Sequence, residues 1–166
     1  AVKNQNMATI FGYFVKYPEH YGVVEFDNTG SAIGLEEKPK IAKSNYAVTG
    51  LYFYPNDVIH KAASIEPSER GELEITDLLN IYLKKNKLKA ELIGRGGTWL
   101  DAGSIVDFYK ASNFIGTIES RQGLKIACLE EIALTKKWIN KKNINNSIKF
   151  YGKCDYSNYL KSFLWK

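Results

Sequence analysis

The chain has 166 residues, 45% of them hydrophobic and 13% aromatic, enough to bury one core and too apolar for a disordered segment. Lys and Arg number 23 against 18 Asp and Glu, a net charge of +5 dispersed along the chain apart from the stretch Lys136 to Lys149, which speaks against a nucleic-acid groove and suits small anionic ligands. No apolar run reaches the roughly 18 residues of a membrane-spanning helix, no signal-peptide core is visible, and Cys128 and Cys154 lie far apart without a C-x-x-C pattern, so the expectation is a reducing, cytoplasmic setting with no membrane partner, no zinc site and no disulfide framework.

In chain order, Ile10 to Val15 reads as a strand of aromatic and β-branched residues. A loop over Tyr17 to Tyr21 leads into a second strand, Gly22 to Phe26. Asp27-Asn28-Thr29-Gly30 is turn chemistry, because glycine tolerates positive φ and Asp and Asn side chains bond the nearby backbone. The turn predicts a hairpin whose returning arm, Ala32 to Lys38, carries Glu36, Glu37 and Lys38. Pro39 follows directly and is expected to push Lys38 toward an extended conformation. Taken alone, these three charges are a solvated strand end.

A polar connector over Lys40 to Asn45 precedes the strand Tyr46 to Tyr54. Pro55-Asn56-Asp57 then opens a short helix that Pro67 ends, and Ser68 to Gly71 is a loop carrying Arg70 into Glu72-Leu-Glu-Ile-Thr-Asp77 and a second helix marked by Leu78, Leu79 and Tyr82. Leu88 to Ile93 alternates as a strand. Thr98-Trp99-Leu100-Asp101 is expected to place an aspartate at a strand's C-terminal end, ahead of Ser104, the N-cap of a helix from Ile105 to about Ile118. Farther on, Gly123 to Cys128 reads as a short buried stretch, Glu130 to Trp138 as a helix, Lys141 to Ser147 as a polar linker and Tyr156 to Trp165 as a terminal helix. Strands alternating with helices put the chain in the α/β class, where ligands collect at the carboxyl ends of strands.

The run YGVVEFDNTGSAIGLEEKPKIAKSNYAVTGLYFY, followed by RGELEITD and GTWLDAGS, resembles the glucose-1-phosphate thymidylyltransferase family of sugar nucleotidyltransferases. The order and spacing of these motifs carry the resemblance, since each alone is weak. It extends from about Ala8 through Cys128-Leu-Glu-Glu-Ile-Ala133 and more weakly to the C-terminus. It implies the C-terminal part of a Rossmann-like mixed sheet flanked by helices, with residues 1–121 forming the sugar-phosphate-binding part of the catalytic domain and residues 122–166 a helical extension. It also implies that the Gly-rich phosphate loop and a second metal-binding aspartate lie outside these residues, so that the chain alone would be inactive and would expose an edge and an apolar sheet face.

The activity implied is transfer of dTMP from dTTP to glucose 1-phosphate, giving dTDP-glucose and pyrophosphate on the way to dTDP-rhamnose and cell-surface polysaccharide. By the same resemblance Lys38 would hold the reacting sugar phosphate as a mobile point charge, and Glu37 would accept hydrogen bonds from sugar hydroxyls. Tyr21, Gly22 and Val48 would line the sugar pocket, and Arg70 would be a further anion contact. Arg70 also reads as a loop cation paired with Glu72 or Glu74. Asp101 would ligate Mg²⁺, its other reading being an acid that caps the helix beside Ser104. A homo-oligomer, tetrameric in the family, is implied as well. Where relatives often carry a proline after the cysteine and a Tyr-Arg pair, this chain has Leu129, Leu134 and Thr135, which puts feedback control through that segment in doubt. Two alternatives stay open: a uridylyltransferase-type relative, and a non-catalytic sugar- or nucleotide-binding or interaction fragment.

Overall fold

The computed structural model describes residues 6–165, which separate into two units, one up to Trp99 and one from Leu100 on. The first is an α/β unit. Its five strands are β1 (Ala8–Phe14), β2 (Gly22–Phe26), β3 (Ala32–Glu37), β4 (Tyr46–Phe53) and β5 (Leu88–Leu92), arranged β3-β2-β4-β1-β5. β1 runs parallel to β5 and antiparallel to β4, and β2 is antiparallel to both β3 and β4, so the sheet is mixed. Between Ile10 and Gly12 the β1–β4 register shifts, a bulge-like irregularity between the central strand β4 and its neighbour β1.

Two helices belong to this unit, α1 (Val58–Ala62) and α2 (Ile75–Lys84). Leu78, Leu79 and Tyr82 recur at the spacing of one helical face, and all three are buried together with Ala8, Ile10, Val24, Val48 and Leu88. Each such apolar side chain taken from water contributes about 1.5–3 kcal/mol. Polar bonds then fix how α2 lies on the sheet: Asn80 Nδ2 donates to Leu35 O of β3 at 3.2 Å, and the Tyr82 hydroxyl donates to Asp57 Oδ1 at 2.7 Å. On the other face of β4, Leu51 and Phe53 remain exposed.

The expected hairpin forms between β2 and β3. Asp27 Oδ1 accepts the N–H groups of Thr29 and Ser31 at 2.8 and 2.9 Å, and Gly30 takes φ +81°. At the far end of β3, however, the extended conformation expected of Lys38 is absent, and the residue has φ +41°. Pro39 disfavours only the right-handed helical region for its predecessor. Tertiary demands decide the rest, because the Lys38 N–H is held by Tyr21 O at 3.0 Å while Pro39 is buried just beyond. The chain turns out of the sheet there through a region that side chains other than glycine rarely adopt.

Thr98 to Asp101 forms no strand, which corrects the expectation of a strand end at Asp101. A turn closed by Gly97 N–H to Gly94 O leads away from β5, and Trp99 packs its ring against Tyr13 and Tyr21 instead of entering a ladder.

The second unit holds α3 (Ile105–Gln122), α4 (Leu129–Thr135), α5 (Lys141–Tyr151) and α6 (Asp155–Lys161). Ser104 caps α3 by accepting the Asp107 N–H at 3.0 Å, and Gly123, at φ +68°, ends it. The stretch Gly123 to Cys128 is exposed except at Lys125 and Cys128, against the expectation of burial. Its anchor is polar: Glu119 accepts the Ile126 N–H at 2.9 Å and the Lys125 ammonium at 2.6 Å. Lys141 to Ser147 is helical, where a linker was expected. Asn140 and Asn143 make a reciprocal capping box, and Ile144 and Ile148, one turn apart, pack with Cys128 and Leu160 in the core of this unit.

Candidate active site

Of the residues singled out from the sequence, Tyr21, Gly22, Glu37, Lys38, Val48 and Arg70 gather on the β3-β2-β4 arm, and Asp101 does not belong to that unit. Gly22 and Glu37 are register partners across β2 and β3. Val23 pairs with Ala47, so the next step of that antiparallel register sets Gly22 beside Val48. Glu37, Gly22 and Val48 therefore form a row across three strands, and alternation along each strand turns all three toward the face that α2 covers. Val48 is 8% exposed with its side chain in the core, so its main chain is what it presents to the row.

Gly22 abuts two side chains. A β-carbon there would lie 3.0 Å from both Glu37 Oε2 and Thr76 Cγ2. The missing side chain thus makes room for the Glu37 carboxylate itself. Tyr21, immediately before, follows a single 3-10 turn over Pro18–His20, and its ring meets Trp99 edge-on at 5.2 Å. Its carbonyl is the group that holds Lys38.

Arg70 reaches the same place from the loop that precedes α2. Its Nη1 lies 4.0 Å from Glu37 Oε1 and 3.3 Å from Glu74 Oε1, and its Nη2 lies 2.7 Å from Glu72 Oε2. Both partners expected for a loop cation are real, and Glu37 is a third. Around these groups is an open hollow of about 310 Å³, lined in part by Glu36, Glu37, Arg70, Glu74, Thr76 and Asn80. The Glu37 side chain is only 21% exposed, and burial first, then the negative charge of Glu74, raise its pKa above the ordinary carboxylate value. Lys38 and Arg70 oppose that rise. The result is a carboxylate between two cations and a second acid, with space in front of it.

Sequence reasoning gave no functional part to Glu74, Ser68 or Thr76, which help line this hollow. No local signal marks them: Glu72 and Glu74 stand two apart, which would put both on one side of an extended chain, and only the packing of α2 buries Glu74.

Asp101 belongs to the second unit, where it is exposed. Its Oδ1 accepts the Gly103 N–H at 3.2 Å, closing the turn before Ser104, while Ser104 and not Asp101 caps α3. Among the described residues no group of three His, Cys, Asp or Glu side chains is placed to hold a metal ion. Asp101 offers one carboxylate, which is within what Mg²⁺ takes from protein when phosphate oxygens and water complete its shell.

The profile of the nucleotidyl transferase family matches residues 1–118, and the chain belongs to that family. The chain is 46% identical over 159 residues to a glucose-1-phosphate thymidylyltransferase of Neisseria gonorrhoeae, covering 96% of this chain and 55% of the relative. It is 50% identical over 153 residues to the protein of that name in Xanthomonas campestris pv. campestris, covering 92% and 52%. It therefore spans about half the length of the curated relatives that it matches. Among solved structures, one described as a glucose-1-phosphate thymidylyltransferase of Bacillus anthracis in complex with sucrose superposes with a TM-score of 0.60 at 40% identity, covering 68% of this chain and 45% of that one. A UDP-glucose pyrophosphorylase complexed with UDP-glucose gives 0.59 at 25% identity, covering 67% and 44%.

Proposed function

We propose that this chain supplies the sugar-phosphate-binding part of a glucose-1-phosphate thymidylyltransferase. In that reaction a phosphate oxygen of glucose 1-phosphate attacks the α-phosphorus of dTTP, the new P–O bond forms as the bond to the β-phosphate oxygen breaks, and pyrophosphate leaves with dTDP-glucose as the product. The site must gather negative charge and hold two anions in line. The observation that carries the reading is the row at Gly22 and Glu37, ended by Lys38 and flanked by Arg70.

In this reading Lys38 binds the sugar phosphate, its ammonium delivered by a backbone that turns sharply out of β3. Glu37 accepts hydrogen bonds from sugar hydroxyls, with Gly22 leaving its carboxylate room and the main chain at Val48 completing that wall. Tyr21 closes the pocket beside Trp99. Arg70 is the second cation. Asp101 would hold Mg²⁺, which when bound neutralises triphosphate charge and makes pyrophosphate a better leaving group. A place in dTDP-rhamnose and polysaccharide synthesis, a cytoplasmic location and a homo-oligomeric assembly belong to the same proposal. The relatives' names bear on the substrates alone, through the glucose 1-phosphate and thymidylyl group they print, and among the described residues no helix is long and apolar enough to cross a membrane.

The test is a chimera in which the part of the Neisseria gonorrhoeae relative that this chain does not span is joined to these residues. With magnesium, dTTP and glucose 1-phosphate it should release pyrophosphate, and Lys38→Ala should abolish the release. UTP in place of dTTP tests the uridylyl alternative. A folded chimera that binds dTTP and releases no pyrophosphate with any sugar phosphate would overturn the assignment and leave a binding module.

A further inference from the structure

Three carboxylates surround Arg70, and their burial separates them. The Arg70–Glu72 pair is solvent-exposed, and pairs of that kind are worth little. Glu37 stands at 4.0 Å, the outer limit of an ion pair. Glu74 is different, because the residue is only 9% exposed and a nearly buried charge must be matched by a partner. It occupies the N-cap of α2, where a carboxylate is ordinarily satisfied by the helix's own first N–H groups, and it makes no such bond. Its Oε1 goes instead to Arg70 Nη1 at 3.3 Å and accepts the Ser68 hydroxyl at 2.8 Å. Ser68 in turn accepts the Arg70 N–H at 3.2 Å on its own hydroxyl oxygen and the Gly71 N–H at 2.8 Å on its carbonyl. One buried oxygen therefore fixes both the loop that carries Arg70 and the guanidinium at its tip.

We propose that Glu74 is a positioning residue: its carboxylate holds the Arg70 guanidinium beside Glu37, so that cation and sugar-binding acid face the sugar phosphate in a fixed relation. The inference rests on the sugar-phosphate reading of the site. Arg70 has a long side chain, and without Glu74 its strongest remaining partner is the exposed Glu72, which would draw it outward. The charges around Glu37 are Lys38 at the end of its own strand, Arg70 and Glu74 from the loop and helix opposite, and the phenol of Tyr52 from β4, whose ionisation Glu37 opposes. Glu74 is the one that raises the Glu37 pKa by its charge.

The experiment compares the parent chain with Glu74→Gln, which keeps shape and the Ser68 bond but loses the charge, and Glu74→Asp, which keeps the charge on a shorter stem. Two quantities are read by NMR: the titration midpoint of the Glu37 carboxyl carbon, and the dissociation constant for glucose 1-phosphate. In Glu74→Gln the lost Glu74 charge lowers the Glu37 midpoint while the departure of Arg70 raises it, so the midpoint should fall by less than it does when Glu74→Gln is made in an Arg70→Ala background, and glucose 1-phosphate should bind about tenfold more weakly, the scale of one charge-assisted hydrogen bond. Glu74→Asp should keep the midpoint near the parent's and show an intermediate affinity, which a purely structural role would not produce. Folded Glu74→Gln with parental affinity, or with a midpoint fall equal in the two backgrounds, overturns the proposal, and if that variant does not fold, parental affinity in Glu74→Asp does so. A parent chain that shows no glucose 1-phosphate binding overturns the sugar-phosphate reading instead, and the midpoint then decides the Glu74–Glu37 link by itself.

Discussion

Gly22 on β2 lies directly across from Glu37 on β3, and a β-carbon added to Gly22 would come 3.0 Å from Glu37 Oε2. No positive φ demands glycine there, so the constraint is space alone. Gly22→Ala should move the Glu37 carboxylate and press on Thr76, which is buried in the first turn of α2. A cost of about 1–3 kcal/mol in unfolding free energy is expected for such overpacking. Glucose 1-phosphate affinity should fall further than that cost explains, as read by titration of the folded variant. Parental affinity would show that the position of Glu37 is immaterial to binding.

Lys38 holds a backbone conformation that suits glycine better than lysine, with φ +41°. Strain of this kind costs about 1–3 kcal/mol and tends to collect at functional positions. Lys38→Gly removes it, offset in part by the greater freedom of glycine in the unfolded chain. The variant should therefore melt at the same temperature as the parent or somewhat higher while losing phosphate binding altogether. A drop of several degrees in melting temperature would mean that the lysine side chain stabilises the fold and that the strained backbone is incidental.

The raised pKa of Glu37 gives a stability effect with a defined sign. Its charged form is less favourable in the folded chain than in the unfolded one, chiefly through burial and then through Glu74. The carboxylate consequently costs stability above its folded pKa, and the cost disappears as pH falls through that value toward the ordinary 4.5 and below. Glu37→Gln should be at least as stable as the parent at neutral pH, and the difference should vanish in acid. Sugar-phosphate binding should weaken in the same variant. Thermal melts across that pH range check the prediction, and a variant less stable at neutral pH than in acid, relative to parent, would reverse it.

In the second unit, Asn140 is the N-cap that starts α5, with Asn143 returning the bond. Asn140→Ala should lower the stability of that unit by about 1 kcal/mol and fray α5 from Lys141 onward. Amide exchange along Lys141 to Tyr151 would detect it. Unchanged protection at Asn143 and Ile144 would show that packing of Ile144 alone holds the helix.

Strands β1 to β5 and helix α2 were legible because their patterns are local: β-branched and aromatic runs, the Asp27 to Gly30 turn, and the Leu78-Leu79-Tyr82 stripe. The charged triplet ahead of Pro39 and the RGELEITD run were legible as motifs, and they point to the end of the sheet where Lys38 and Arg70 sit. Local preference misread α5, since seven residues of KKNINNS look like a solvated linker until Ile144 finds Cys128 and Leu160 across the unit. It misread Lys38 as well, because the bond from its N–H to Tyr21 comes from a residue 17 positions away along the chain. The relation of Glu74 to Arg70 and Glu37 depends on the docking of α2 against β3. Two acids of similar local character, Glu72 and Glu74, are told apart only by which of them that docking buries, and burial decides how strongly each holds a cation.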